Sequence, residues 1–189
     1  MARPRASIET DLFERGVLVR LSNVDAGYGA STVLMGVDFE ARAGEVNLIT
    51  GPAAAGKTTF THLLRLALPP RSGRSVILGA DVMRARSRDI AEVKRRIGYV
   101  AENPTFIEQW STFDNIAMPL RLLGQKPREY EHDVRELVDF VGLGGAAELA
   151  VEKLSGAERR RAAIARALAA KPNLILADDP TAGMSPADG

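Results

Sequence analysis

Cysteine is absent from the 189 residues, which excludes disulfides, thiol catalysis and thiolate-bound zinc. Histidine is scarce. His62 and His132 are the two present, too few and too far apart in sequence to suggest a metal cluster. An excess of one charge is missing as well. Lys and Arg number 25 against 24 Asp and Glu, a formal net charge of +1, so nucleic acid is not an expected partner. No apolar run approaches the length of a membrane span, and the N-terminal residues lack a signal-peptide core. These absences predict a cytosolic chain without direct membrane insertion, whose membrane role would have to pass through a partner. What is present is an apolar content of 46%, enough at this length for one domain with a sizeable core.

Residues 1–16 are polar and unpatterned and read as a flexible extension. Residues 17–24 and 32–41 read as strands, with Gly27, Gly29 and Gly44 at turns around them. Residues 45–50 (Glu-Val-Asn-Leu-Ile-Thr) read as a short buried strand. A helix is expected from Lys57, with Phe60, Leu63, Leu64 and Ala67 on one face, ending at Pro69-Pro70. Then come a strand at 74–78, a short charged helix at 89–96 and a strand at 97–100. From Thr112 the pattern turns helical; Val134, Leu137, Val138 and Val141 form a stripe and Gly142 is a C-terminal cap. A last helix spans 158–170, and residues 173–177 form a buried strand leading into Asp178-Asp179-Pro180. Alternating strands and helices interrupted by a helical block, at about 104–170, predict an α/β fold with a helical insertion, in one domain over 17–189.

The stretch Gly51-Pro52-Ala53-Ala54-Ala55-Gly56-Lys57-Thr58-Thr59 has the spacing G-x-x-x-x-G-K-[ST] of a phosphate-binding P-loop. A tight turn feeding a helix N-terminus is an anion site, because the first helical N–H groups have no partners within the helix and the dipole favours negative charge there. Lys57 is expected to reach the terminal phosphates, and the Thr58 hydroxyl to ligate Mg²⁺. An ordinary Gly/Ala-rich turn is the alternative.

Two further segments bear on the same chemistry. Ser155-Gly156-Ala157-Glu158 has capping-box spacing before a helix, and taken alone it reads as a cap. Asp178 and Asp179 end an apolar strand, where ligands bind in open α/β sheets. One acid is placed to hold Mg²⁺ and the other to orient or deprotonate a water. A turn before Pro180 is the bland alternative. Gly27-Tyr28-Gly29 lacks the third glycine of a dinucleotide fingerprint and does not open a helix. Arg159-Arg160-Arg161 reads as solvated helix residues.

A P-loop, an L-S-G-x-E segment at Leu154–Glu158 and an A-D-D-P-T strand end at Ala177–Thr181, in this order, resemble an ATP-binding-cassette (ABC) nucleotide-binding domain over about residues 17–184. The resemblance implies a P-loop NTPase core with an N-terminal β subdomain, working as a head-to-tail homodimer. It implies ATP and Mg²⁺ as cofactors, with ATP held between the P-loop of one copy and Ser155, Gly156, Ala157 and Glu158 of the other. It implies Tyr28 as the aromatic that stacks on adenine, Glu102 at the Q-loop position that contacts Mg²⁺, Asp178 at the metal and Asp179 as the catalytic base. Residues 111–120 look like cassettes of the cell-division, lipoprotein-release and macrolide-export branches. Residues 121–142 and 176–181 look most similar to the FtsE-type cell-division branch. That branch pairs with FtsX, a polytopic inner-membrane protein, so a location on the inner face of the membrane is implied.

Departures from the family pattern accompany the match. Ala54 stands where the family has glycine, Glu102 for glutamine, Ala157 for the second signature glycine and Asp179 for glutamate. Ala182-Gly183-Met184-Ser185 replaces the family's G-N-L-D. The chain also stops at Gly189, before the strand that in the family carries the switch histidine. The C-terminal part of the core is therefore expected to be missing and the central sheet open near residues 47–50 and 174–177. Slow hydrolysis is expected, or a non-hydrolysing ATP-binding switch.

Overall fold

Alternation builds the first sheet. In β1 (Val17–Tyr28) the side chains of Val17, Val19 and Leu21 are buried, and then the parity switches so that Val24 and Ala26 take over the buried face. The switch is a bulge. The pairing with β2 (Ser31–Arg42) slips between Leu21 and Val24, and Asn23 lies at φ 50°, in the left-handed region that asparagine tolerates. The expected strand end at Val24 follows from the broken alternation. The bulge restores it, and β1 runs on to Tyr28. The structure is a computed structural model that describes Phe13 and residues 15–179.

The chain divides into two compact units that meet in sequence at Ile97 and Gly98. In the first, β3 (Ser72–Ile77) and β4 (Ala80–Asp81) complete an antiparallel sheet of order β2-β1-β3-β4. Gly73 is required at the β1–β3 crossing: it lies at φ 78°, and a Cβ there would sit 2.2 Å from the Asn23 carbonyl oxygen. Helix α1 (Lys57–Leu64) buries Phe60, Leu63 and Leu64, and Phe60 meets Phe39 of β2 edge-on with centroids 5.1 Å apart. The helix stops at Leu64 rather than at Pro69-Pro70. Leu66 turns left-handed at φ 60°, and the N–H groups of Ala67 and Leu68 both donate to the His62 carbonyl. That turn buries Leu66 and Leu68 and leaves Ala67 exposed, off the expected stripe. Helix α2 (Ser87–Arg95) follows.

Residues 45–50 do not form the buried strand expected of them. They belong to neither sheet, and Val46 and Leu48 are 98% and 84% exposed. The physical reason is that a strand exists only through a partner's hydrogen bonds, and no described segment supplies a ladder here.

The second unit pairs β5 (Ile97–Val100) with β6 (Leu174–Ala177) and packs three helices, α3 (Thr112–Leu122), α4 (Pro127–Phe140) and α5 (Gly156–Leu168). Its core takes Ile116 and Leu120 from α3, Val134 and Val138 from α4, and Ala162 and Ala165 from α5. Leu137 and Val141 pack partly buried against it, so the expected α4 stripe forms, and Gly142 at φ 71° ends the helix. β6 is less buried than its apolar sequence predicts: Leu176 is buried, but Ile175 is 51% exposed. Among the described residues no helix is long and apolar enough to cross a membrane.

Candidate functional site

The loop before α1 has the form its spacing predicts. Gly56 caps the helix at φ 89°, ψ 10°, no side chain caps the first turn, and that turn carries no acid. A helix start left so uncompensated favours an anion. Gly56 cannot be replaced cheaply: besides its left-handed φ, a Cβ would approach Leu34 Cδ2 to 3.0 Å and Val33 Cγ1 to 3.2 Å. Residues 51–55 are exposed. Lys57 Nζ folds back over the loop and donates to the carbonyls of Gly51 and Pro52, both at 2.8 Å. Thr58 is exposed whereas Thr59 is buried, so of the two hydroxyl residues Thr58 is the accessible one. Beside the loop lies a concavity of about 230 Å³ lined by Leu34, Asp38, Ile49, Gly56, Lys57 and Phe60, among others.

Ala54 lies at φ 62°, so the one loop position whose expected glycine is missing does adopt the conformation that glycine serves. Tyr28 closes β1 opposite Ser31 and is 47% exposed. Its hydroxyl is 2.8 Å from Nδ1 of His62, on the last turn of α1.

The other expected residues lie in the second unit. Glu102 is exposed just after β5. Asp178 follows β6, half-buried, and its N–H donates to the Val100 carbonyl at 2.9 Å. Asp179 is exposed at φ 47°. The expected capping box at Ser155–Glu158 forms. The Ser155 N–H donates to Glu158 Oε2 at 2.8 Å, and Ser155 Oγ accepts from the Glu158 N–H at 3.3 Å. Those bonds from the Ser155 N–H and hydroxyl hold the Glu158 carboxyl below the ordinary glutamate range. Gly156 is exposed and Ala157 half-buried at the same helix start. Pro180 and residues 181–189 lie outside the described residues, as does most of the 1–16 extension.

Three side chains at the head of α5 correct the expected solvated face. Arg159 makes a two-pronged pair with Glu108, both bonds at 2.7 Å, and also donates to the Val151 carbonyl. Arg160 is 8% exposed and donates to the Ala101 carbonyl at 2.9 Å. Arg161 is half-buried. Two turns on from Arg159, Arg166 donates to the Thr105 carbonyl at 2.7 Å and lies over the Phe106 ring, 4.4 Å from its centroid. Burial pushes the Arg166 guanidinium below the ordinary arginine range. The segment after β5, which carries Glu102, is thus bonded to α5 along its length. Asn115, fully buried, secures the end of that segment: Oδ1 accepts from the Ile107 N–H, and Nδ2 donates to the carbonyls of Ile107, Trp110 and Ser111. The arginine contacts were not legible from a run of three arginines, because Glu108, Ala101 and Thr105 lie 51, 59 and 61 residues from the arginines that bind them, and the role of a lone asparagine depends on its burial.

Among the described residues no group of three or more His, Asp or Glu is placed to hold a metal ion. A phosphate-bound Mg²⁺ does not need one, since it keeps waters and takes one or two protein oxygens with the rest from phosphate. The acid-free helix start, the accessible Thr58 hydroxyl and the Lys57 ammonium fit that arrangement.

The profile of the ABC transporter family matches residues 34–182. The chain belongs to that family. Among its relatives, this cassette is 35% identical over 173 residues to an intermembrane phospholipid transport system ATP-binding protein, MlaF, of Haemophilus influenzae, covering 89% of this chain and 64% of that one. It is 36% identical over 160 residues to the lipoprotein-releasing system ATP-binding protein LolD 2 of Caulobacter vibrioides, covering 84% and 70%. It is 34% identical to the methionine import ATP-binding protein MetN of Mesorhizobium japonicum, covering 98% and 48%. The cassette thus spans less than two thirds of the MlaF and MetN relatives. Among solved structures it resembles the ATP-binding cassette MJ0796, a dimer in a post-hydrolysis state bound to ADP and Pi, with TM-score 0.80, 27% identity and coverage of 90% and 77%. The fold is also that of CbiO1 of Clostridium perfringens, part of the CbiONQ transporter complex, at TM-score 0.82 and 23% identity with coverage of 92% and 69%. The α/β ABC ATPase fold is therefore established, and the relatives named here are transport cassettes rather than cell-division ones.

Proposed function

We propose that the chain is the ATP-binding subunit of an ABC-type membrane complex, peripheral on the inner face of the membrane through a polytopic partner. The observation that carries this is the loop 51–59 itself: a left-handed glycine cap, a helix start with neither acid nor side-chain cap, and an ammonium folded over the loop. On this reading the loop N–H groups and Lys57 hold the phosphates of ATP, Tyr28 carries the adenine and Thr58 offers its hydroxyl to Mg²⁺; the family resemblance would add Asp178 as a further ligand. When bound, the metal neutralises phosphate charge. By the family resemblance, Ser155, Gly156, Ala157 and Glu158 of a second, head-to-tail copy would contact the terminal phosphate, and Glu102 would contact Mg²⁺. Asp179 takes the proton of the attacking water.

Asp179 favours slow turnover, and with it the second reading of a non-hydrolysing switch. Its side chain is one methylene shorter than glutamate, which draws the carboxylate back from the place a glutamate would reach. Geometry comes first for a general base. For the partner, the similarity of residues 121–142 and 176–181 to the FtsE branch supports an FtsX-like protein and a role in cell division. The LolD 2 relative supports lipoprotein release, and the MlaF relative adds a lipid cargo to the same class.

The test is titration of MgATP into the full chain beside Lys57→Ala, with steady-state phosphate release measured beside Asp179→Asn. Binding lost in Lys57→Ala and turnover abolished in Asp179→Asn is the expected outcome for the ATPase. Binding with no turnover in either protein assigns the switch. Wild-type chain that binds no nucleotide sinks both.

A further inference from the structure

The contact between Tyr28 and His62 has a consequence beyond the site's expected parts. Tyr28 stands at the end of β1, where the hairpin turns into β2. The turn is pinned from outside: Arg71 donates to the Gly29 carbonyl and to Thr32 Oγ1, and its own N–H donates to the Asp25 carbonyl. Backbone pinning leaves the tyrosine's χ angles open, and a half-exposed ring has several rotamers available. His62 removes that freedom. Its Nδ1 lies 2.8 Å from the Tyr28 hydroxyl, and the two rings meet edge to face at 84° with centroids 6.4 Å apart. The contact engages the phenol through its hydroxyl edge, and a purine stacks on a ring's face. His62 also belongs to α1, the helix whose first turn carries Lys57 and Thr58.

We propose that His62 is a positioning residue of the nucleotide site: it locks the Tyr28 ring in the orientation that receives a purine base and ties that ring to the helix that holds the phosphates. This rests on the nucleotide reading above. The ring is ordered before ligand arrives, so the base does not have to immobilise it on binding, which is where preorganisation raises affinity. The selectivity follows from the geometry. Losing the bond weakens ligands that carry a base and leaves ligands that carry phosphates alone untouched.

The experiment is calorimetric titration of the full chain with MgATP and, separately, with Mg-tripolyphosphate, in wild type, His62→Ala, His62→Gln and Tyr28→Phe. His62→Ala is expected to weaken ATP about three- to tenfold, the scale of one modest hydrogen bond, with tripolyphosphate affinity unchanged. Tyr28→Phe, which keeps the ring and deletes the hydroxyl, is expected to reproduce that loss. The double variant is expected to lose no more than either single one, and His62→Gln, which retains an acceptor, to recover part of it. Equal losses for both ligands in His62→Ala would mean a merely structural role and overturn the proposal. So would unchanged ATP affinity in Tyr28→Phe. Wild-type chain that binds tripolyphosphate but shows no preference for ATP overturns the role of Tyr28 and His62 alone. Failure to bind either ligand overturns the nucleotide reading itself.

Discussion

Ala54 shows at single-residue scale how a motif can be kept in spacing and altered in energy. Its φ of 62° lies in the left-handed region, where a Cβ costs roughly 1–2 kcal/mol. Ala54→Gly relieves that strain but frees the unfolded chain, which returns about 0.4–1 kcal/mol of the gain. The net expectation is stabilisation by about 0.5–1 kcal/mol, read in urea or thermal unfolding as a rise of roughly 2–4 °C per kcal/mol. Ala54 is exposed, so no packing is lost in the exchange. Destabilisation by the same change would show that the methyl makes a contact in solution that outweighs the strain. Asn115 is the opposite case, a residue with no motif around it that nevertheless holds three carbonyls and one N–H with a fully buried amide. A lone asparagine in a sequence reads as a turn former or a cap. Burial gives it this role, since a desolvated amide must be satisfied and every partner it finds is fixed in return.

At the scale of elements, Asp25 ties the first sheet together. One carboxylate oxygen accepts from the Gly36 N–H of β2 and the other from the Ser72 hydroxyl of β3, both at 2.7 Å. Those two bonds, the backbone one first, hold the Asp25 carboxyl below the ordinary aspartate range. A carboxyl depressed in the folded state contributes stability that is fully present above its unfolded value and is lost as pH falls through the folded one. Asp25→Asn is therefore expected to flatten the acid limb of a stability-against-pH profile measured by denaturant unfolding. An unchanged limb would remove Asp25 from that role. The elements also show what periodicity can and cannot reveal. The α4 stripe and its glycine cap were legible because both are local. The length of β1 was not, because a bulge reverses parity and looks in sequence like the end of a strand. The early stop of α1 was hidden for a related reason: Leu66 enters the core by breaking the helix rather than by staying on its stripe.

For the whole molecule, the telling stretch is residues 45–50, whose apolar side chains lie in neither sheet. Val46 and Leu48 are too exposed to contribute burial, so Val46→Thr with Leu48→Thr is expected to leave stability within about 0.5 kcal/mol. The same pair is expected to lower self-association, because an extended apolar segment without a ladder is a template for pairing with another chain. Light scattering coupled to size exclusion, beside an unfolding curve, checks both. A large loss of stability would show that these side chains are buried in solution. Order and spacing along the chain were enough to identify the glycine-capped turn before α1, the capped helix at Ser155 and the family, because each rests on short local motifs and their order. Whether an apolar run becomes a strand, whether three arginines face water or clamp a distant loop, and which imidazole meets Tyr28 were decided by tertiary contacts. Each of those depends on a hydrogen-bond partner far away in sequence, and a polar group's role is set by the partner that satisfies it.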